Sequence, residues 1–174
     1  MDEQKMTNDS PFREMRRKRQ LLTEAESIDI LKNATSGVLA LMSDDDYPYA
    51  VPLSYLYADG RLYFHSALTG HKVDAIRKHP KASFCVVAQD EIHSERFTTF
   101  YRSVIAVGRV HVIDDENEKV TTAKLFGQRY KPPDKQGLTQ ELKDGLPRML
   151  IIRFDIEHLT GKEAIELVKQ KNQT

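Results

Sequence analysis

The sequence has few of the residues that build common covalent and metal sites. It contains a single cysteine, Cys85, and no tryptophan. One cysteine excludes an intramolecular disulfide and a cysteine-rich metal centre, and the apolar neighbours Phe84 and Val86 predict a buried thiol. Lys plus Arg and Asp plus Glu each total 26, so no net field attracts nucleic acid or a membrane surface. We therefore expect neither as a partner.

Long apolar segments are also absent. Residues 1–10 are polar and charged and lack the apolar stretch of a signal peptide. Nowhere does an apolar run approach the ~20 residues of a membrane helix, so we expect a cytoplasmic protein. Residues 1–14 are expected to form a flexible N-terminal arm and residues 15–174 a single domain. The basic segment Arg13–Arg19 is expected on a solvated face.

Motifs of several large enzyme classes are missing. The chain has no GxGxxG fingerprint, no Walker loop, no HExxH and no GxSxG. No two histidines have a spacing that marks a metal site, so we predict no bound metal. The six are His65, His71, His79, His93, His111 and His158.

Local periodicity predicts a β-rich chain with short helices. Thr23 and Glu26 have the spacing of a helix-capping box, and apolar residues at helical spacing follow, so a helix is predicted over 24–35. Further helices are predicted over 71–78, 116–126 and 161–168, and loops over 89–98 and 130–137. Apolar or alternating runs predict strands over 38–42, 49–57, 61–66, 82–88, 103–113 and 149–156.

The order of these elements indicates the fold class. Helices do not alternate regularly with strands, which argues against a parallel doubly wound sheet. Residues 58–60, Ala-Asp-Gly, are typical of a hairpin turn, and the first three strands are expected to pair as an antiparallel meander. The prediction is a mainly β fold with peripheral helices, an antiparallel six-stranded barrel.

Two segments suit a flat, anionic ligand. Along strand 49–57 one face carries only Ala50, Pro52, Ser54 and Leu56, and its small side chains let a flat ring approach the backbone. The segment 62–73 runs from a strand through Gly70 into a helix start, where unpaired backbone N–H groups and Lys72 favour a phosphate. The alternative is a plain strand–helix connection with an exposed lysine.

Four groups of segments follow one another in an order that resembles a known family. They are Met15–Lys18 ahead of the capped helix, Tyr47–Tyr55 with Asp59–Ala67 and Gly70–Lys72, Tyr101–Val110, and Ile151–Phe154 with Leu159–Lys162. Together they resemble the nitroimidazole-resistance group of the pyridoxamine 5′-phosphate oxidase-like superfamily, over about residues 15–165.

This resemblance implies a split β-barrel, usually a homodimer with FMN at the interface. It also implies a flavin-dependent oxidoreductase acting on a small molecule, with reduction of 5-nitroimidazole-type nitroaromatic compounds as the subgroup's reaction. FMN is expected ahead of FAD or a deazaflavin, and Arg102 and Ser103 are expected to reach the cofactor of the partner subunit. The implied cofactor contacts are Pro52, Leu53, Ser54, Tyr55, His65, Ser66, Ala67, Gly70, His71, Lys72, Arg102 and Ser103.

Several roles stay open at the level of sequence. His71 is either a catalytic proton shuttle or a bystander beside the loop. His65 either contacts flavin or makes a structural hydrogen bond, and Arg102 binds phosphate or pairs with an acid of the preceding loop. The whole protein is alternatively a flavin- or haem-binding module, a sensor or carrier without turnover. No arginine-rich motif ends the chain, so vitamin B6 oxidation is not expected.

Overall fold

The structure of the protein, a computed structural model, describes residues 10–129 and 135–173. Within these residues there are seven strands: β1 Ser36–Met42, β2 Pro48–Ser54, β3 Leu56–Ala58, β4 Arg61–Ala67, β5 Lys81–His93, β6 Thr98–Val112 and β7 Met149–Glu163. The helices are α1 Glu24–Asn33, α2 His71–Lys78, α3 Glu116–Arg129, α4 Lys135–Gly145 and α5 Ile165–Lys171. Short 3₁₀ turns lie at Lys18–Gln20, Ser94–Arg96 and Leu146–Arg148.

The strands form one antiparallel sheet in the order β2-β1-β5-β6-β7-β4-β3. Strands β2 and β3 lie at its two ends, yet only Tyr55 separates them in the chain. The sheet therefore has to curl until its two edges meet at Tyr55. This confirms the predicted antiparallel split barrel, and the six predicted strands become seven because strand 49–57 is broken at Tyr55.

The predicted three-strand meander is wrong as a continuous unit. Strand β1 pairs with β2, and β3 pairs with β4. Strand β4 then pairs with β7, not with β2. The physical reason is the break at Tyr55, which sends the second half of the predicted strand to the opposite edge of the sheet.

Burial of Tyr55 explains this break. Its side chain is fully buried, and the ring packs edge-on against Phe84 at 4.9 Å between centroids. The hydroxyl donates a hydrogen bond of 2.8 Å to the carbonyl of Leu31 in the last turn of α1. Burial raises the pKa of Tyr55 to about 12. The tyrosine thus links α1 to the point where the barrel closes.

The core fills the barrel interior. The predicted capping box is present: the Thr23 side chain accepts from the backbone N–H of Glu26, and the Glu26 side chain accepts from the backbone N–H of Thr23. Helix α1 covers the barrel with Leu31. Strand β7 passes close beneath α1 at Gly161. A Cβ at this position would lie 2.3 Å from Ser27 Oγ, so the absence of a side chain allows the close approach. The largest fully buried side chains include Leu31, Leu39, Leu62, Phe64, Phe84, Val86, Val104, Ile152 and Phe154.

Three local predictions need correction. The loop predicted over 89–98 is a β-hairpin, because β5 continues to His93 and β6 begins at Thr98; its polar residues are those of a solvated two-stranded arm. The helix predicted over 161–168 begins only at Ile165, since Gly161 and Lys162 still pair with β6. Of the loop predicted over 130–137, residues 130–134 lie outside the described residues and residues 135–137 belong to α4.

Two further predictions concern membrane-spanning helices and the N-terminal arm. No helix within 10–129 and 135–173 is long and apolar enough to cross a membrane. The N-terminal arm predicted over 1–14 lies mostly outside the described residues and stays a prediction.

Candidate functional site

The outward surface of four neighbouring strands, β2, β1, β5 and β6, is lined by small and apolar side chains. We call this surface the outer face. One row across it joins Pro52 to Val38, Val38 to Cys85 and Cys85 to Ile105 through paired positions. The next row joins Ala50, Ala40, Ser83 and Val107.

The outer face carries much of the exposed apolar surface of the chain. Within the described part of the chain, ten large hydrophobic side chains are exposed, and five of them lie on this face: Val38, Met42, Val87, Ile92 and Ile105. Val87 is 64% exposed and Ile92 is 82% exposed. A contiguous apolar surface of this kind is typical of an interaction or ligand-binding site.

The loop between β4 and α2 lies at one end of the outer face. Ser66 is buried at the end of β4, and Gly70 adopts φ +129°, which favours glycine. The carbonyl of Gly70 accepts the N–H groups of Val73 at 2.8 Å and Asp74 at 3.1 Å. The N–H groups of His71 and Lys72 belong to the first helical turn and have no intrahelical acceptor. Their positions make the start of α2 suitable for an anion.

Lys72 adds an unpaired positive charge to this helix start. Its side chain is half-buried, and burial alone lowers the pKa of its ammonium group. Among the residues that the structure describes, no carboxylate forms an ion pair with Lys72. A partly desolvated cation without a counter-ion gains energy when an anion binds beside it.

His71 connects the loop to the tip of the β1–β2 hairpin. Its ring stacks on Tyr49 at 4.3 Å between centroids. Its Nε2 atom lies 2.7 Å from Ser43 Oγ and 3.6 Å from Asp44 Oδ1. Strand β2 begins next to this contact and, at ~3.3 Å per residue, runs about 20 Å along its seven residues. The start of α2 therefore lies next to the end of the sheet where β2 begins, in contact with Tyr49 on the side of β2 that faces the barrel core.

The predicted residues of β2 point in two directions. Pro52 and Ser54 are exposed on the outer face, as the alternation predicts. Leu53 packs against the barrel core, and Tyr55 is buried within it. Only the backbone of Leu53 and Tyr55 is therefore available to a ligand on the outer face.

The predicted residues of β4 divide in the same way. Ser66 is buried, while Ala67 and Gly70 are exposed near the start of α2. His65 is exposed, and its ring meets the edge of Phe126 from α3 at 5.5 Å. The structure therefore places His65 beside α3, in a ring contact that neither of the two sequence alternatives included.

Arg102 and Ser103 lie far from the anion-binding loop within one chain. Ser66 pairs with Leu150 and Arg102 with Glu163, near opposite ends of the 15-residue strand β7. At ~3.3 Å per residue these ends are about 40 Å apart along the strand. A single chain does not bring these predicted contacts together.

The two residues also point to opposite faces. Ser103 pairs with Val87 on the outer face. Arg102 faces α1 and α5, where its Nε donates to the buried carboxylate of Glu163 at 3.1 Å. The structure therefore agrees with the alternative that Arg102 pairs with an acid. The acid, however, is Glu163 of β7 and not a residue of the preceding loop.

Sequence reasoning missed several residues of this region. Ser43 and Tyr49 hold His71, and Glu163 holds Arg102 together with Lys171. Ser43 and His71 are 28 positions apart, and Arg102 and Glu163 are 61 apart, so local patterns carry no signal for these contacts. Within 10–129 and 135–173, no group of three or more His, Cys, Asp or Glu side chains is arranged to hold a metal ion.

Comparisons with known proteins agree with this architecture. An uncharacterized protein from Rhizobium meliloti (strain 1021), RA0666, is 27% identical over 127 residues, which cover 69% of this chain and 79% of the relative. A crystal structure of an FAD-binding protein from Mesorhizobium loti is 26% identical, with a TM-score of 0.58, covering 83% of this chain and 97% of that one.

A third similar protein is a candidate 5-nitroimidazole antibiotic resistance protein from Bacteroides thetaiotaomicron VPI-5482. Its crystal structure superposes with a TM-score of 0.67 at 17% identity, covering 82% of this chain and 86% of that one. At this identity the likeness shows a shared fold. The family model for pyridoxamine 5′-phosphate oxidase matches residues 23–163, which is most of the chain. The chain therefore belongs to the pyridoxamine 5′-phosphate oxidase family.

Proposed function

We propose that this protein binds FMN along the outer face and acts as a flavin-dependent oxidoreductase on small nitroaromatic compounds. The phosphate would bind at the start of α2, and the isoalloxazine ring would lie against Pro52 and Ser54. FMN then supplies the two-electron redox chemistry, while the protein positions the ring and limits its access to solvent.

The observation that carries the proposal is the half-buried ammonium group of Lys72, which has no ion-pair partner among the described residues, beside the N–H groups that open α2. A phosphate at this point would receive the backbone N–H groups and the lysine together. The loop offers one such cation, which matches the single phosphate of FMN. FAD would need contacts for a second phosphate and an adenosine.

The other half of the site is the strand of small side chains. Ala50, Pro52 and Ser54 leave the backbone of β2 open to a flat ring, and Pro52 has no N–H group that would need an acceptor. The exposed apolar side chains of Val38 and Ile105 extend this floor across the sheet. They are suited to cover an aromatic ring and its substrate.

The same surface supports a homodimer with the flavin at its interface. A monomer would leave five large apolar side chains of the outer face in water, and a second copy would bury them. Ser103 lies on the same face as Pro52 and Ser54, far from the start of α2, and a second copy seated on this face would bring its own Ser103 towards the bound flavin.

Two experiments test this function. The absorption spectrum of the purified protein, followed by identification of the released cofactor by mass spectrometry, is expected to show flavin bands and FMN. Colourless protein that also fails to bind added FMN would contradict the proposal. Bound flavin that no reduced nicotinamide reduces, and that passes no electrons to a 5-nitroimidazole, would favour a sensor or carrier instead.

The dimer is tested separately by analytical ultracentrifugation. Ile105→Glu places a charge in the middle of the outer face and is expected to give monomers. Leu125→Glu is the matched control, because Leu125 is also exposed but lies on α3. Equal masses for the two variants would contradict an interface on the outer face.

A further inference from the structure

His71 belongs to a small polar group whose other members, Ser43 and Asp44, lie beside one of its two ring nitrogens. Ser43 is only 2% exposed, and its Oγ lies 2.7 Å from His71 Nε2. The same hydroxyl donates to Asp44 Oδ1 at 3.2 Å. Stacking on Tyr49 holds the plane of the ring. These contacts hold one face and one nitrogen of the imidazole against the β1–β2 hairpin.

The chemistry of these groups decides where the proton of the neutral imidazole lies. A serine hydroxyl has one hydrogen to donate, and an ionised carboxylate only accepts. With the Ser43 hydrogen directed to Asp44, the oxygen of Ser43 can only accept from His71. In that arrangement Nε2 carries the hydrogen of the neutral imidazole. The opposite tautomer would turn the Nε2 lone pair towards the Asp44 carboxylate, 3.6 Å away.

The other charged groups around His71 are consistent with this arrangement. Asp45, in the same turn, has its pKa lowered by a hydrogen bond from Ser43 and by the N–H of Tyr47. It is therefore a second acceptor for the Ser43 hydroxyl, and competes with any donation to His71. On α2 the neighbours are Lys72 and Asp74, and neither makes a hydrogen bond to the His71 ring among the described residues.

We propose that Ser43 and Asp44 are positioning residues that hold His71 as the Nε2–H tautomer and leave Nδ1 as a free proton acceptor. Nδ1 makes no hydrogen bond among the described residues, and the side chain is 45% exposed. The inference rests on the proposed function for its purpose, because a proton acceptor beside the flavin site suits a reaction that moves protons with electrons. The tautomer itself does not depend on any ligand.

The tautomer is measured on the apoprotein by long-range ¹H–¹⁵N correlation at a pH where the imidazole is neutral. The signals of His71 are assigned by their loss in His71→Gln. The expected result is predominant Nε2–H in the wild type. In Ser43→Ala the ratio of the two tautomers is expected to fall at least about threefold, which corresponds to the loss of one ordinary hydrogen bond.

Two further variants sharpen the test. Ser43→Thr keeps the hydroxyl and is expected to restore the wild-type ratio. Asp44→Asn replaces an acceptor by a group that also donates, and is expected to move the ratio towards Nδ1–H. Ser36→Ala, at an exposed serine of β1, the strand that ends just before Ser43, is the matched control and is expected to change nothing.

Two results would overturn the proposal. One is predominant Nδ1–H in the wild type, and the other is an unchanged ratio in Ser43→Ala. Since no flavin is present, failure of FMN binding leaves this measurement unaffected, and the two proposals fail by different results.

Discussion

Closure of the barrel at Tyr55 makes a quantitative prediction for Tyr55→Phe. The substitution keeps the ring and its packing on Phe84 but removes the hydroxyl, which donates at 2.8 Å to the carbonyl of Leu31. That carbonyl lies in the last turn of α1, where no intrahelical N–H replaces the lost donor. An unsatisfied buried carbonyl costs about 1–3 kcal/mol.

The assay is thermal unfolding followed by circular dichroism. At about 2–4 °C per kcal/mol for a chain of this size, Tyr55→Phe is expected to lower Tm by roughly 2–12 °C. Tyr47→Phe is the matched control, because Tyr47 is exposed; it is expected to change the free energy of unfolding by less than about 0.5 kcal/mol. An unchanged Tm in Tyr55→Phe would refute the role assigned to this hydroxyl.

The same residue predicts a dependence on alkaline pH. The pKa of Tyr55 is raised to about 12 in the folded chain, above the ordinary value of about 10. The stability that it contributes is therefore complete below pH ~10 and is lost as the pH rises towards 12. Tyr55→Phe removes this contribution. Its free energy of unfolding is expected to fall less than that of the wild type between these pH values.

Three other substitutions test separate parts of the structure. Glu163→Gln removes a buried carboxylate that accepts from Arg102 and Lys171; urea denaturation is expected to show a loss of roughly 1.5–3 kcal/mol, well above that of the exposed control Glu157→Gln. The pKa of Glu26 is lowered to about 2, chiefly by the hydrogen bond from Lys171, so the stability that Glu26 contributes is lost as the pH falls from about 4.5 towards 2. In Glu26→Gln the free energy of unfolding is therefore expected to fall less over this range than in the wild type, as measured by acid titration. Gly161→Ala brings a Cβ to 2.3 Å from Ser27 Oγ, and a loss of about 1–3 kcal/mol is expected from the overpacking; a wild-type Tm would contradict the close approach of α1 to β7.

The parts of the fold that follow from local patterns were predictable from the sequence. The capping box of Thr23 and Glu26 gave the start of α1, and alternation gave the exposed small face of β2 at Pro52 and Ser54. The break at Tyr55 was not predictable, because the run 49–57 is a continuous strand by alternation. Only the buried contacts of Tyr55 with distant parts of the chain divide it.

In the candidate site, too, local features were predictable from the sequence and contacts between distant residues were not. Gly70 and Lys72 were visible as a turn and a charge in one short segment. The hydrogen bond of His71 to Ser43 joins residues 28 positions apart, and the ion pair of Arg102 with Glu163 joins residues 61 positions apart. The hairpin over 89–98 was missed because its solvated strands carry the polar composition of a loop.

The most direct test of flavin binding at the start of α2 is the dissociation constant for FMN of two matched lysine variants. Lys72→Ala removes the half-buried ammonium group, whereas Lys78→Ala removes an exposed one from the end of the same helix. Loss of a charge-assisted hydrogen bond of about 1.5–3 kcal/mol predicts roughly 10- to 150-fold weaker binding for Lys72→Ala, with Lys78→Ala close to the wild type. Equal affinity of the two variants would contradict the assignment of the phosphate to this helix start.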